Sequence, residues 1–122
     1  MARVLALIPD LLFGSRVQSA LTQSGHEVEL IGDPARVRGQ LGDAGVSVLV
    51  VDLTNEQLDG AALVGDLGRE RLLHGVKTLG FYAHVDVEVR ERAEQAGFSL
   101  VVARSRMARE GAELVGRLAA SA

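Results

Sequence analysis

The sequence predicts an α/β protein in which five strand–helix units, (βα)5, form a doubly wound parallel sheet between two helix layers. Two observations lead there. Short apolar runs recur at residues 4–8, 28–31, 46–51, 76–81 and 100–103, each continuous or nearly so, as strands covered on both faces require. Amphipathic segments separate them at regular spacing, and repeated units with short loops imply right-handed crossovers. The chain has 122 residues, which suits one domain over residues 1–122.

The elements can be justified in order. The first run is closed by Pro9-Asp10, so it is too short for a membrane span and reads as a strand. Phe13, Val17 and Leu21 recur every fourth residue, with Gly25 as a stop. The second run alternates with Glu27 and Glu29, which suits an edge strand. Asp33-Pro34 is a helix cap followed by a first-turn proline, ahead of Val37 and Leu41. Asp59 is expected to cap a third helix carrying Leu63 and Leu67, although Gly65 and Gly68 weaken it. Val85, Val89, Ala93 and Ala96 form a stripe ending at Gly97. Ser105 is expected to cap the last helix, with Met107, Leu114 and Leu118 inward and residues 119–122 frayed.

Composition bounds the function. The chain is 48% hydrophobic but only 3% aromatic, so aliphatic packing must build the core. A net charge of -3 argues against a general binder of nucleic acid or anionic membrane. With no Cys, thiolate catalysis and Cys-based metal sites are excluded, and a cytosolic location is the default. The arginines 104, 106 and 109 lack interleaved aromatics and read as a solvated helix start. The mixed charges from Glu88 to Glu94 read as a solvated outer helix face. The three His have no metal spacing: His26 and His74 fall in turns, and His84 near Asp86 reads as loop-to-helix capping. Dinucleotide, P-loop, flavodoxin-type phosphate, cobalamin and nucleophile-elbow signatures are all missing.

Sites in open parallel sheets gather beyond the carboxyl ends of the strands. There lie Asp10, Asp52, Tyr82-Ala83-His84 and Arg104-Ser105. Asp52 alone would read as an Asx-turn, and Asp10 as a helix cap. Two carboxylates at adjacent strand ends, however, make either a hard-cation site or a repulsion that a nearby cation such as Arg104 relieves.

The order and spacing resemble response-regulator receiver domains (CheY-like), the phospho-aspartate switch of two-component signalling, over the full length. The stretch VSVLVVDLTNEQLDG carries the resemblance: Asp52 stands where the acceptor ends the third strand, and Asp59-Gly60 lies seven and eight residues on. The resemblance implies the flavodoxin-like strand order 2-1-3-4-5. It makes Asp52 the phosphoacceptor, Tyr82 and Arg104 the phosphate-contacting switch positions, and Asp10, Asp52 and the Thr54 carbonyl a weak Mg²⁺ site. It also implies an interaction face of Tyr82, Val85, Arg104 and Arg106.

The departures point to an atypical, pseudo-receiver variant. Pro9 replaces one acid of the family's pair, Glu56 its loop proline, Tyr82 its Ser or Thr, Arg104 its Lys, and Ser105 the proline that follows. Arg is not equivalent to Lys, because its planar fork is longer and can pair directly with Asp10 and Asp52. The expectation is therefore a stand-alone cytoplasmic bacterial signalling module, not an enzyme. It would bind a histidine kinase, a downstream effector or a second copy of itself, and not nucleic acid or membrane. The alternative is a single-domain regulator phosphorylated on Asp52 with Mg²⁺.

Overall fold

The computed structural model describes residues 2–43 and 45–121. Five strands, β1 (Arg3–Leu7), β2 (Glu27–Ile31), β3 (Val48–Asp52), β4 (Lys77–Tyr82) and β5 (Leu100–Ala103), form one parallel sheet in the order 2-1-3-4-5. The fold class and strand order are those expected. The helices are α1 (Leu11–Gln23), α2 (Val37–Asp43, entered through a 3-10 turn at Pro34–Arg36), α3 (Gly60–Arg69), α4 (Val87–Ala96) and α5 (Arg104–Ala120). Among the described residues, no helix is long and apolar enough to cross a membrane.

The period of two in each strand divides the core. Val4, Ala6, Ile8, Val48, Val50, Leu79, Phe81 and Val102 point to the face covered by α1 and α5, where Phe13, Val17, Leu21, Met107 and Leu114 meet them. Leu5, Leu7, Leu49 and Val51 point to the other face, against Val37, Leu63, Val64, Leu67 and Ala93 of α2, α3 and α4. β3, flanked by β1 and β4, is buried throughout, whereas β2 at the edge alternates, as Glu27 and Glu29 foretold. Aliphatic side chains supply nearly all of this burial, at about 25 cal/mol per Å² of apolar area removed from water.

Local chemistry sets the helix ends. The Asp10, Asp33, Asp59 and Asp86 side chains each accept backbone N–H bonds at the start of a helical turn. Gly97 takes φ 101° and closes α4 in the left-handed region. Three expectations need correction. Ser105 lies inside α5, whose N-cap is Ala103 and carries no side-chain cap bond. Val85 is not on the α4 stripe; it precedes the helix and is exposed, and Ala93 is the residue α4 buries. The terminal segment is more ordered than expected, because α5 runs to Ala120 and Ala119 packs on the core; Ala122 lies outside the described residues.

His26 also differs from its reading as a turn residue without a role. It is buried; the Ala2 backbone N–H donates to its Nδ1 at 3.1 Å, and its Nε2 lies 3.3 Å from the Ala112 carbonyl. The ring thus ties the start of β1 to α5.

Gly60 is fixed by packing. A Cβ there would stand 2.7 Å from both Leu53 Cδ2 and Val51 Cγ1. Alanine would gain about 1 kcal/mol of helix propensity, but crowding a buried β-branched neighbour costs about 1–3 kcal/mol. Gly60→Ala is expected to lower the urea midpoint with an unchanged slope; an unchanged or higher midpoint would show that Val51 and Leu53 move aside freely.

Candidate functional site

The register brings the singled-out residues to one edge. Asp52 ends β3 directly opposite Phe81 of β4, and Tyr82 pairs with Ala103, the residue before Arg104. Leu7 pairs with Val51, so the turn carrying Asp10 rises beside Asp52. Asp10, Asp52, Tyr82 and Arg104 therefore all sit at the carboxyl end of the three central strands and β5.

Asp52 is 2% exposed. Its Oδ1 accepts the Thr54 backbone N–H at 2.7 Å and the Thr54 hydroxyl at 2.6 Å. This is the Asx-turn the sequence allowed, reinforced by a side chain. Burying a carboxylate is costly unless donors or a cation compensate. Two short donors to one oxygen compensate in part. Among the described residues Asp52 forms no ion pair, and no hydrogen bond reaches Oδ2.

Arg104 does not pair with Asp52, as the sequence had allowed. Its guanidinium donates to Asp10 Oδ2 at 3.4 Å and lies over the Phe13 ring, 4.1 Å from the centroid. Phe13 in turn packs against Phe81, with centroids 5.1 Å apart and planes tilted by 52°. An exposed ion pair and a cation–π contact each contribute up to about 1 kcal/mol, and together they hold Arg104 to one side. Asp10 is doubly engaged, because its Oδ1 caps α1 by accepting the Leu12 and Phe13 N–H groups at 3.0 and 3.1 Å. Its two expected roles, cap and partner of Arg104, thus coexist.

Tyr82 is half-buried on the opposite face of the sheet from Phe81, packed with the α2–α4 core. The neighbouring Tyr82 phenol raises the Arg90 pKa further above its already high value. Arg90 Nε is buried without a partner. Arg90 was read with the solvated, charged outer face of α4, whereas its side chain is half-buried. Val85, at 78% exposed, and Arg104 stand in solvent, and Arg106 is half-buried beside Glu110, 3.6 Å away.

The Asp-Gly pair builds a second contact that the sequence did not announce. Arg92 of α4 donates to both Asp59 oxygens at 3.2 Å, tying α4 to the start of α3. The Ala62 N–H bond, then Arg92, holds the Asp59 carboxyl below the usual range against an opposing desolvation effect. Arg38 likewise donates to both oxygens of Glu70, at 2.8 and 2.7 Å, and depresses the Glu70 carboxyl. Depressed carboxyls stabilise the fold above their unfolded pKa, and that stability is lost as pH falls through the folded values. The melting temperature is therefore expected to drop as pH falls below the ordinary carboxylate range, and Glu70→Gln should flatten that slope. A Glu70→Gln profile as steep as wild type would assign the acid sensitivity elsewhere.

Among the described residues no group of three or more His, Asp or Glu side chains could hold a metal ion. Mg²⁺ requires near-octahedral oxygen coordination. Pro9 supplies no ligand, Asp10 Oδ1 is a cap and Asp10 Oδ2 faces a guanidinium, which leaves Asp52 Oδ2 and the Thr54 carbonyl. That donor set fits Mg²⁺ poorly.

No family model and no curated protein sequence matches the chain. Solved structures do. The Francisella response regulator 1452 receiver domain superposes with a TM-score of 0.84 at 16% identity, covering 98% of this chain and 97% of that one. The chemotaxis response regulator CheY4 of Vibrio cholerae gives 0.82 at 18% identity, with 97% and 98% covered. The receiver domain of the sensor histidine kinase PA1611 from Pseudomonas aeruginosa, which carries a magnesium ion in its active site cleft, gives 0.84 at 18% identity, with 98% of each chain covered. This chain therefore has the fold of response-regulator receiver domains.

Proposed function

We propose that the chain is an atypical receiver module that signals by binding a protein partner and whose phosphorylation site is degenerate. The observation that carries this reading is the commitment of Asp10 and Arg104. Asp10 caps α1 and pairs with Arg104, and Arg104 rests on Phe13. Phosphoryl transfer depends on metal and cationic charge gathered around the transferring group. Here the metal ligands are depleted and the cation is held elsewhere, so Mg²⁺ binding at Asp10, Asp52 and Thr54 is weak. The module is a binder rather than an enzyme, cytoplasmic, and not directed at nucleic acid or membrane. Its partner is a histidine kinase, a downstream effector or a second copy, met by the face of Tyr82, Val85, Arg104 and Arg106. On this reading that face is fixed and binding is constitutive.

A second reading, phosphorylation on Asp52 by a histidine kinase with Mg²⁺, is favoured by one observation: Asp52 Oδ2 lies at a strand end without a hydrogen bond. In that case the added charge would shift a two-state population of the same face. Amide spectra recorded with and without Mg²⁺ and beryllium fluoride, a phosphoryl mimic, separate the two. The constitutive reading expects the amides of Tyr82, Val85, Arg104 and Arg106 to stay in place. Saturable movement of all four, absent in Asp52→Asn, would establish the second reading instead.

A further inference from the structure

Two cavities adjoin along the seam between α1 and α5. The upper, about 460 Å³, opens between Phe13, Arg16, His84, Arg104 and Ser105. The lower, about 260 Å³, runs on past Val17, Ala20, Leu21 and Met107. Phe13, Arg16 and Ala108 line both, so the two form one groove with a cationic mouth and an apolar floor. The small side chains of Ala20 and Ala108 leave the room.

The charges at the mouth are unequal. Arg104 is matched by Asp10, whereas Arg16 and His84 form no ion pair among the described residues. Arg3, Arg38, Arg69, Arg92, Arg106, Arg109 and Arg117 each face a carboxylate, whereas Arg16 shares its unmatched state with Arg36, Arg71 and Arg90 among the described residues. An unmatched guanidinium at the head of an apolar channel suits a ligand of the same polarity. Ligand sites of this size are characteristically apolar with a few placed polar groups.

We propose that this groove binds a small anionic amphiphile, with a carboxylate or phosphate head against Arg16 and an unbranched apolar tail along Val17, Ala20 and Met107. Arg16 offers a planar fork that meets either head group with two N–H donors. The tail displaces water from the floor, so affinity rises with chain length until the floor is filled. The proposal is independent of the reading of Asp52, which lines neither cavity.

The test is an amide-shift titration of the full chain with octanoate, octyl phosphate, butanoate and octylamine. Octanoate and octyl phosphate are expected to move Phe13, Arg16, Val17, Ala20, Met107 and Ala108 saturably, and the stronger of the two identifies the head group. Butanoate should bind at least several-fold more weakly than octanoate. Arg16→Glu, on an exposed helix face, should retain the folded spectrum and weaken octanoate roughly tenfold. Ala20→Leu should block the floor and remove the preference for octanoate over butanoate, while Asp52→Asn should bind as wild type does. Octylamine moving the same amides as strongly as octanoate, or Arg16→Glu binding octanoate unchanged, would overturn the proposal.

Discussion

Phe81→Ala is expected to cost about 3–5 kcal/mol, a large part of the roughly 5–15 kcal/mol that holds a domain together. Phe81 is fully buried and ranks first by volume among the side chains so enclosed. It sits on β4, paired with Asp52 on one side and Val102 on the other. Its ring supports Phe13, and Phe13 supports Arg104. Truncation therefore opens a cavity and also loosens the platform that keeps Arg104 aside. The expected readout is a melting temperature lower by roughly 10–20 °C. Phe81→Leu, which keeps most of the volume, should cost far less. Equal losses for Ala and Leu would show that the aromatic contact, rather than the volume, is what matters.

The second large effect is a gain. On the proposed reading, introducing the residues that receiver domains carry at these positions, Pro9→Asp/Tyr82→Thr/Arg104→Lys, is expected to produce a chain that takes a phosphoryl group on Asp52 from a small phosphodonor with Mg²⁺. Asp at position 9 adds a metal ligand where proline has none. Thr replaces the half-buried tyrosine body with a short hydroxyl side chain. Lys places a point charge in place of the planar guanidinium that bonds Asp10 and gives up the stacking geometry over Phe13. A preorganised charge-stabilising donor is worth about 10²–10³ in rate, so restoring several together turns an undetectable adduct into a detectable one. Adding Asp52→Asn should abolish it. Failure of the folded restored variant to react would mean that the fold, and not the side chains, disables the site.

The sheet was legible because its signal is coarse. Continuous apolar runs identify buried strands whatever their neighbours do, and the alternation of Glu27 and Glu29 with apolar residues marked β2 as the edge. Helix starts at Asp10, Asp33 and Asp59 were legible where a side chain does the capping. They failed at Ser105 because the end of β5 runs straight into α5, leaving Ala103 as an N-cap with no side-chain oxygen. Val85 misled because its spacing extends the α4 stripe by one step, while Asp86 starts the helix after it.

The placement of the candidate residues at one sheet edge was legible, and their pairings were not. Spacing brings Asp10, Asp52, Tyr82 and Arg104 to one edge, but which cation meets which carboxylate depends on a ring from another element. Phe13 decides the position of Arg104, and nothing in the local sequence of either residue connects them. The same holds for Arg92 with Asp59, a contact made across elements that sequence order keeps apart.

On the proposed reading, Asp52 sits in a switch whose supporting charges, Asp10 and Arg104, are committed to each other. The most direct test of that reading is the intact mass of the wild-type chain after incubation with acetyl phosphate across a wide Mg²⁺ range. The account predicts an unmodified mass throughout. A phosphoryl adduct on wild type that disappears in Asp52→Asn would contradict it.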